Sequence, residues 1–206
     1  MERTLFERLK RIQALAEIGL EYSNTNYDIE RYREIQEICL EMLEQLTDVP
    51  ITKIQAIIQE NNGYKTPKVD VRAVVFNAEG QILLVQEKVD NCWSLPGGWA
   101  DVGYTPRQIA EKECFEEAGL TVKSSRLIAI MDKTAQQMPP EFEYVYKIFI
   151  RCEPVDDRLS IGEEAIGVGW FNENELPELS KPRNIESQIH LMFEYFRGEK
   201  TEVYLD

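Results

Sequence analysis

A chain of 206 residues carries 37 Asp and Glu against 23 Lys and Arg, a formal net charge of −14 near neutral pH. That excess weighs against a dedicated nucleic-acid binder, whose affinity comes from cationic contacts that release counterions, but not against a phosphate ligand met through a divalent cation. The composition, 43% hydrophobic and 29% charged, is that of a globular chain. No run of about 18 apolar residues offers a membrane span, and the N-terminus is too charged for a secretory signal, so the cytoplasm is the expected compartment.

In chain order, residues 1–64 read as helices. Leu5, Leu9, Ile12, Ala16 and Leu20 recur at spacings of three and four, as do Tyr32, Ile35, Cys39, Leu43 and Leu46. Asp28 is the expected N-cap of the second helix, and Pro50 precedes a short third one around Ile54, Ile57 and Ile58. Three such stripes make a thin core, so this segment is expected to form a homodimer or to pack on its own chain. Asn61-Asn-Gly-Tyr-Lys-Thr-Pro67 is rich in turn formers and marks a domain boundary, giving domains 1–64 and 65–206.

Beyond it the period changes to two. Val69, Val71, Ala73 and Val75 alternate with Asp70, Arg72 and Val74, and Asn77-Ala-Glu-Gly80 turns into Gln81-Ile-Leu-Leu-Val-Gln86, which predicts a hairpin. Further strands are predicted at residues 127–131, 142–152 and 167–171, with helices at 105–118 and 184–196. This is an α+β pattern with a mixed sheet. Cys39, Cys92, Cys114 and Cys152 contain no Cys-x-x-Cys, which points to free thiols and away from a zinc ribbon or disulfide framework. The single histidine, His190, reads as a packed or surface helix residue, and alone it nearly excludes a triad or a multi-histidine metal site.

The chemistry concentrates in Leu95-Pro-Gly-Gly-Trp-Ala-Asp-Val-Gly-Tyr-Thr-Pro-Arg-Gln-Ile-Ala-Glu-Lys-Glu-Cys-Phe-Glu-Glu-Ala-Gly-Leu120. Thr105 is a good N-cap, Pro106 suits the first helical position, and Gly119 suits the terminator. At roughly 100° per residue Glu113, Glu116 and Glu117 share one face of this helix. Crowded carboxylates repel one another unless a hard divalent cation draws them together, and Gly97 and Gly98 let backbone approach such a ligand closely. A solvated acidic face is the plainer reading of the same three acids.

These residues resemble the signature of the Nudix hydrolases, Gly-x5-Glu-x7-Arg-Glu-U-x-Glu-Glu-x-Gly-U with U aliphatic. Gly98, Glu113, Glu116, Glu117, Gly119 and Leu120 fall on its positions, and Gly169-Trp-Phe-x5-Leu-Pro177 is also family-like. The chain departs from it at Tyr104 for the first Glu, Lys112 for Arg and Cys114 for the aliphatic residue. A Lys cannot reproduce a bidentate guanidinium clamp. Asp101 either offsets the missing Glu or is an exposed loop acid.

The resemblance implies an α/β/α sandwich preceded by a small all-helical N-terminal domain. It further implies hydrolysis of the pyrophosphate bond of a nucleoside diphosphate linked to another group. Mg²⁺ or Mn²⁺ is the implied cofactor, held by Glu113, Glu116, Glu117 and the carbonyl of Gly97. The proton acceptor is Glu113, or Glu163 or Glu164 on a distal loop, where both also read as exposed loop acids. Family members with such an N-terminal domain suggest CDP-choline or ADP-ribose as substrate. Arg72, Gly98, Trp99, Asp101, Tyr104, Asp132 and Lys133 are the candidate substrate contacts. Trp99, Tyr104, Phe142 and Tyr144 are alternatives for stacking or for core. Two other readings stay open: an RNA 3′-end exonuclease using the same metal site, with RNA as a secondary substrate, and a catalytically weakened nucleotide-binding module.

Overall fold

The computed structural model describes residues 4–47, 49–59 and 64–206, with side chains for all of these except 57–59. The side chains of the expected stripe positions Ile57 and Ile58, and the turn residues Asn61, Asn62 and Gly63, lie outside what is described. The chain divides into two units, Met1–Pro67 with Pro140–Glu143, and Lys68–Pro139 with Tyr144–Asp206.

In the first unit, α1 (Leu5–Tyr22) opens on a capping box in which Thr4 Oγ1 accepts from Glu7 N and Glu7 Oε2 accepts from Thr4 N. At α2 (Asn26–Thr47) the expected cap is corrected. The Thr25 hydroxyl accepts from the Asp28 amide at 3.2 Å and donates to Asp28 Oδ2 at 2.7 Å, so Thr25 caps and Asp28 is its partner within the first turn. Then α3 (Ile51–Gln59) follows Pro50, whose carbonyl accepts from Lys53 and Ile54. Leu9, Cys39, Leu40, Leu43 and Ile54 form the core. Gly19 admits the Tyr32 ring, which a Cβ there would overlap.

Phe142 also belongs to this unit. Its ring meets Phe6 edge-on at 5.4 Å, and Lys10 Nζ donates to the carbonyls of Glu141 and Glu143. The strand expected from residue 142 therefore begins only at Val145. Of the predicted stripe positions Leu5, Ile12 and Leu46 stay exposed, and so do Leu15 on α1 and Ile38 and Met42 on α2, which lie outside the predicted stripes.

The second unit holds ten elements: β1 (Lys68–Val75), β2 (Ile82–Glu87), β3 (Trp93–Ser94), β4 (Gly97–Trp99), α4 (Pro106–Ala118), β5 (Val122–Asp132), β6 (Val145–Pro154), β7 (Ala165–Phe171), α5 (Glu186–Phe196) and β8 (Tyr204–Leu205). A five-stranded mixed sheet runs β4-β1-β6-β5-β8, with β1 parallel to β6, and a three-stranded antiparallel sheet runs β3-β2-β7. The predicted hairpin is thus half right. Asn77 and Gly80 make the turn, with Gly80 at φ 78° and the Asn77 amide on the Gln81 carbonyl. Beyond the single bridge Phe76 to Ile82, β1 and β2 part into different sheets, because each has another partner to pair with.

Both faces of β1 are buried. Val71, Ala73 and Val75 pack with Ile109, Ala110, Cys114 and Ala118 of α4, while Val74 and Phe76 pack with Ile189, Met192 and Phe193 of α5. The result is an α/β/α arrangement with α4 on one side and α5 on the other. The four cysteines are free, with Cys39, Cys114 and Cys152 buried. Among the described residues no helix is long and apolar enough to cross a membrane.

Candidate active site

The helix α4 is bracketed as its sequence predicts. Thr105 Oγ1 accepts from the Gln108 amide, Gln108 reciprocates, Pro106 starts the helix, and Gly119 ends it at φ 64°. Such a cap is worth about 1 kcal/mol. The box positions are therefore set by local signals, and Ile109, Ala110 and Cys114 anchor the opposite face in the core.

The pairing of β1 with β4 positions the glycine turn. In an antiparallel ladder bonded and non-bonded residue pairs alternate. Ala73 N donates to Pro96 O and Ala100 N to Val69 O, so the intervening pair Arg72 and Gly97 is non-bonded. The ladder leaves the Gly97 amide and carbonyl unused. The amide donates to Glu117 Oε2 at 2.9 Å. Gly97 sits at φ 150°, and a Cβ would lie 2.9 Å from Arg72 Cα, so only glycine fits. At Gly98 the Glu113 carboxylate reaches within 3.3 Å of where a Cβ would stand, so this glycine makes room for Glu113.

The three acids differ in environment. Glu117 is 7% exposed, and burial, with Glu87 and Glu113 nearby, pushes its pKa up to about 8 against the pull of the Gly97 amide and Arg72. Burial likewise raises Glu113, with Lys112 opposing. Glu116 is exposed, and Lys112 Nζ lies 2.9 Å from it, 3.5 Å from Glu113 and 3.7 Å from Asp101. Asp101 thus faces the lysine that stands where the signature has Arg.

Among the described residues no three His, Cys, Asp or Glu side chains converge as a ready-made metal cage. Glu117 is turned onto Gly97, and Lys112 lies between Glu113 and Glu116. The donor chemistry nevertheless fits a hard divalent cation: two partly or fully buried carboxylates with raised pKa, a third exposed one, and a carbonyl the sheet does not use. Such a cation would displace the Lys112 ammonium from Glu113 and Glu116.

The loop before β7 docks on the end of α4. Ser160 N donates to Ala118 O at 2.9 Å and Gly162 N to Glu117 O at 3.1 Å. A Cβ on Gly162 would lie 2.7 Å from the Glu116 carbonyl carbon. Glu163 and Glu164 are exposed on this loop, and Lys88 Nζ donates to the Glu163 carbonyl.

The other candidate contacts divide. Trp99 and Tyr104 are half exposed, with Lys68 Nζ 5.4 Å from the Trp99 ring centre. Asp132 is engaged in a turn, its Oδ1 accepting from Thr134 N and Ala135 N. Lys133 and Arg72 are buried, at 8% and 5% exposure. Arg72 donates to Asp70 and to the Leu95 carbonyl. Phe142 has its ring against Phe6, and His190 lies on α5 with Nδ1 3.3 Å from Glu173.

Sequence reasoning missed Glu87, Asp70 and Lys147. Glu87 accepts from Ser94 Oγ at 2.6 Å and pairs with Arg183. The available signal was an ionisable Asp-x-Arg inside a run of β-branched residues, which a strand buried on both faces turns inward.

A two-sheet α/β/α frame with a glycine turn held against an acidic helix face is the architecture of a phosphoanhydride hydrolase of the Nudix type. Family models agree: residues 66–192 match the NUDIX domain, and residues 3–58 match a UDP-X-like, N-terminal oligomerisation domain. The chain belongs to the Nudix family and is a pyrophosphatase of that class. It is 40% identical over 200 residues to the Bacillus subtilis (strain 168) "Putative ADP-ribose pyrophosphatase YjhB", covering 97% of this chain and 96% of that one. A crystal structure of a UDP-X diphosphatase is similar over 97% of this chain and 96% of its own, at 31% identity and TM-score 0.64. An ADP-ribose pyrophosphatase structure from Streptococcus suis 89-1591 matches 68% of this chain and all of its own, at 38% identity and TM-score 0.61.

Proposed function

We propose that this chain hydrolyses the pyrophosphate bond of ADP-ribose, releasing AMP and ribose 5-phosphate, with Mg²⁺ or Mn²⁺ held by Glu113, Glu116, Glu117 and the carbonyl of Gly97. The observation that carries the reading is the hydrogen bond from Gly97 to Glu117, which brings the turn and the acidic helix face to one spot. A bound cation would neutralise the pyrophosphate oxygens and lower the pKa of an attacking water. Glu113, half-buried behind Gly98, or Glu163 or Glu164 on the docked loop, takes the proton from that water. ADP-ribose leads over CDP-choline because two relatives with 38% and 40% identity bear that activity in their descriptions. The net charge of −14 disfavours RNA as the main substrate.

Turnover of ADP-ribose, CDP-choline and a short RNA, each with Mg²⁺ or Mn²⁺, tests this directly. ADP-ribose is expected to give the highest kcat/KM. Glu116→Gln is expected to lower turnover by at least about 100-fold, beyond the usual cost of losing a group that only supports a metal ligand. Full metal-dependent activity in that variant would sink the ligand assignment. Glu163→Gln and Glu164→Gln separate a proton acceptor from an exposed loop acid.

The helical unit supports a homodimer. Ile38, Met42 and Leu46 recur every four residues as an exposed apolar ridge on α2, beside Leu5, Ile12 and Leu15 on α1, within the segment that matches an oligomerisation domain.

A further inference from the structure

Arg72 is engaged by protein through Nε and Nη1. Its side chain is 6% exposed, Nε donates to Asp70 Oδ1 at 2.9 Å, and Nη1 donates to the Leu95 carbonyl at 3.0 Å. The other Asp70 oxygen holds Lys147 Nζ, from the residue directly opposite in the β1/β6 register. One carboxylate thus serves two buried cations. Apolar residues would fill the same space without the desolvation cost, so stability alone gives no reason for this cluster.

What the cluster holds is the turn before β4. Leu95 O takes Arg72 Nη1, Leu95 N donates to Asn184 Oδ1 at 3.0 Å, Pro96 O takes Ala73 N, and Gly97 N donates to Glu117. The turn is thereby tied at four successive polar groups to β1, to the approach of α5 and to α4. Arg72 also faces Gly97 in the ladder, its Cδ 3.0 Å from where a Cβ would sit.

We propose that Arg72, oriented by Asp70 and backed by Lys147, is a positioning residue that fixes the Leu95–Gly97 turn, so that the Gly97 carbonyl and the Glu117 carboxylate are presented together to the cation. Arg72 acts through the turn and leaves the substrate phosphates to other groups. This rests on the metal-site reading above.

The test uses the full chain and two readouts. Mn²⁺ affinity is measured by calorimetry without nucleotide, and kcat and KM for ADP-ribose are measured at saturating Mn²⁺. Arg72→Lys keeps the charge but cannot reach both Asp70 and Leu95 in the guanidinium geometry. It is expected to weaken Mn²⁺ binding about 10- to 100-fold, as loss of a residue that orients metal ligands does, with KM at saturating metal within about twofold of wild type. Asn184→Ala cuts the other tether of Leu95 without touching a charge, and remains informative if the Arg72 variant fails to fold. It is expected to shift Mn²⁺ affinity in the same direction.

A raised KM with unchanged Mn²⁺ affinity in Arg72→Lys would make Arg72 a substrate anchor and overturn the proposal. Unchanged affinity in every folded variant overturns it too. A wild-type chain that binds no Mn²⁺ brings down the metal-site reading itself, which is a distinct result.

Discussion

The amide of Gly97 donates to Glu117 Oε2 across 2.9 Å, joining a strand-edge glycine to a carboxylate twenty residues further along the chain. The contact requires φ 150° at Gly97 and leaves no room for a Cβ beside Arg72 Cα and the Val71 carbonyl. Gly97→Ala is therefore expected to cost about 1–3 kcal/mol in stability from strain and overpacking. Turnover of ADP-ribose should fall further than this loss of folded protein explains. A melt by circular dichroism beside the assay measures both.

Gly162 is constrained by backbone as well. A Cβ there would lie 2.7 Å from the Glu116 carbonyl carbon and 2.9 Å from Glu117 Cα, neither of which can swing aside. Gly162→Ala is expected to push the 159–164 loop off α4, at a cost of about 1–3 kcal/mol. Faster amide exchange at residues 160–164, with α5 unchanged, is the expected outcome.

Asp70 stabilises the fold through two buried cations. Burial alone would raise its pKa, but Arg72 and Lys147 outweigh that and hold it below the ordinary carboxylate value. Asp70→Asn leaves both cations without their counter-charge and is expected to destabilise by about 3–5 kcal/mol at neutral pH. Because the folded pKa is depressed, this contribution is complete above the unfolded value of about 3.9 and is lost as pH falls through the folded value. Denaturant titrations should show the gap between wild type and Asp70→Asn narrowing below about pH 4.

Lys112 Nζ, 2.9 Å from Glu116 and 3.5 Å from Glu113, would compete with a metal ion held at the proposed site for these carboxylates. Lys112→Met is expected to tighten Mn²⁺ binding, and only by about two- to fivefold, since partly exposed pairs are worth about 0.2–1 kcal/mol. Calorimetric titration reads the change.

The apolar ridge on α2 predicts a dimer. Light scattering should give twice the chain mass for wild type and the single mass for the double variant Ile38→Glu, Met42→Glu, at two exposed positions outside the buried helical core. A monomeric wild type at micromolar concentration would remove the case for the ridge as an interface.

How much was legible beforehand follows from how local each signal is. The cap at Thr105, the terminator at Gly119 and the spacing of Glu113, Glu116 and Glu117 belong to one helix and its ends, so capping preferences and helical spacing locate them. The cap of α2 was misplaced by three residues because Thr25 and Asp28 bond reciprocally, and either suits a helix start. Phe142 reads as strand because the apolar and aromatic run into β6 continues back to it, but its ring is used by Phe6 and β6 begins only at Val145.

By itself the sequence determined the acidic helix face, the glycine turn ahead of it, the change of period after residue 64 and the family these define. Only the tertiary structure decided that β1 and β2 enter different sheets and that Glu116 stays exposed while Glu117 is buried. It also decided that Arg72 is turned inward against Asp70 and Leu95. The reason is physical. Helix faces and turns follow from neighbours three or four residues apart, whereas the burial of a charge depends on which distant strand, in which register, supplies its counter-charge.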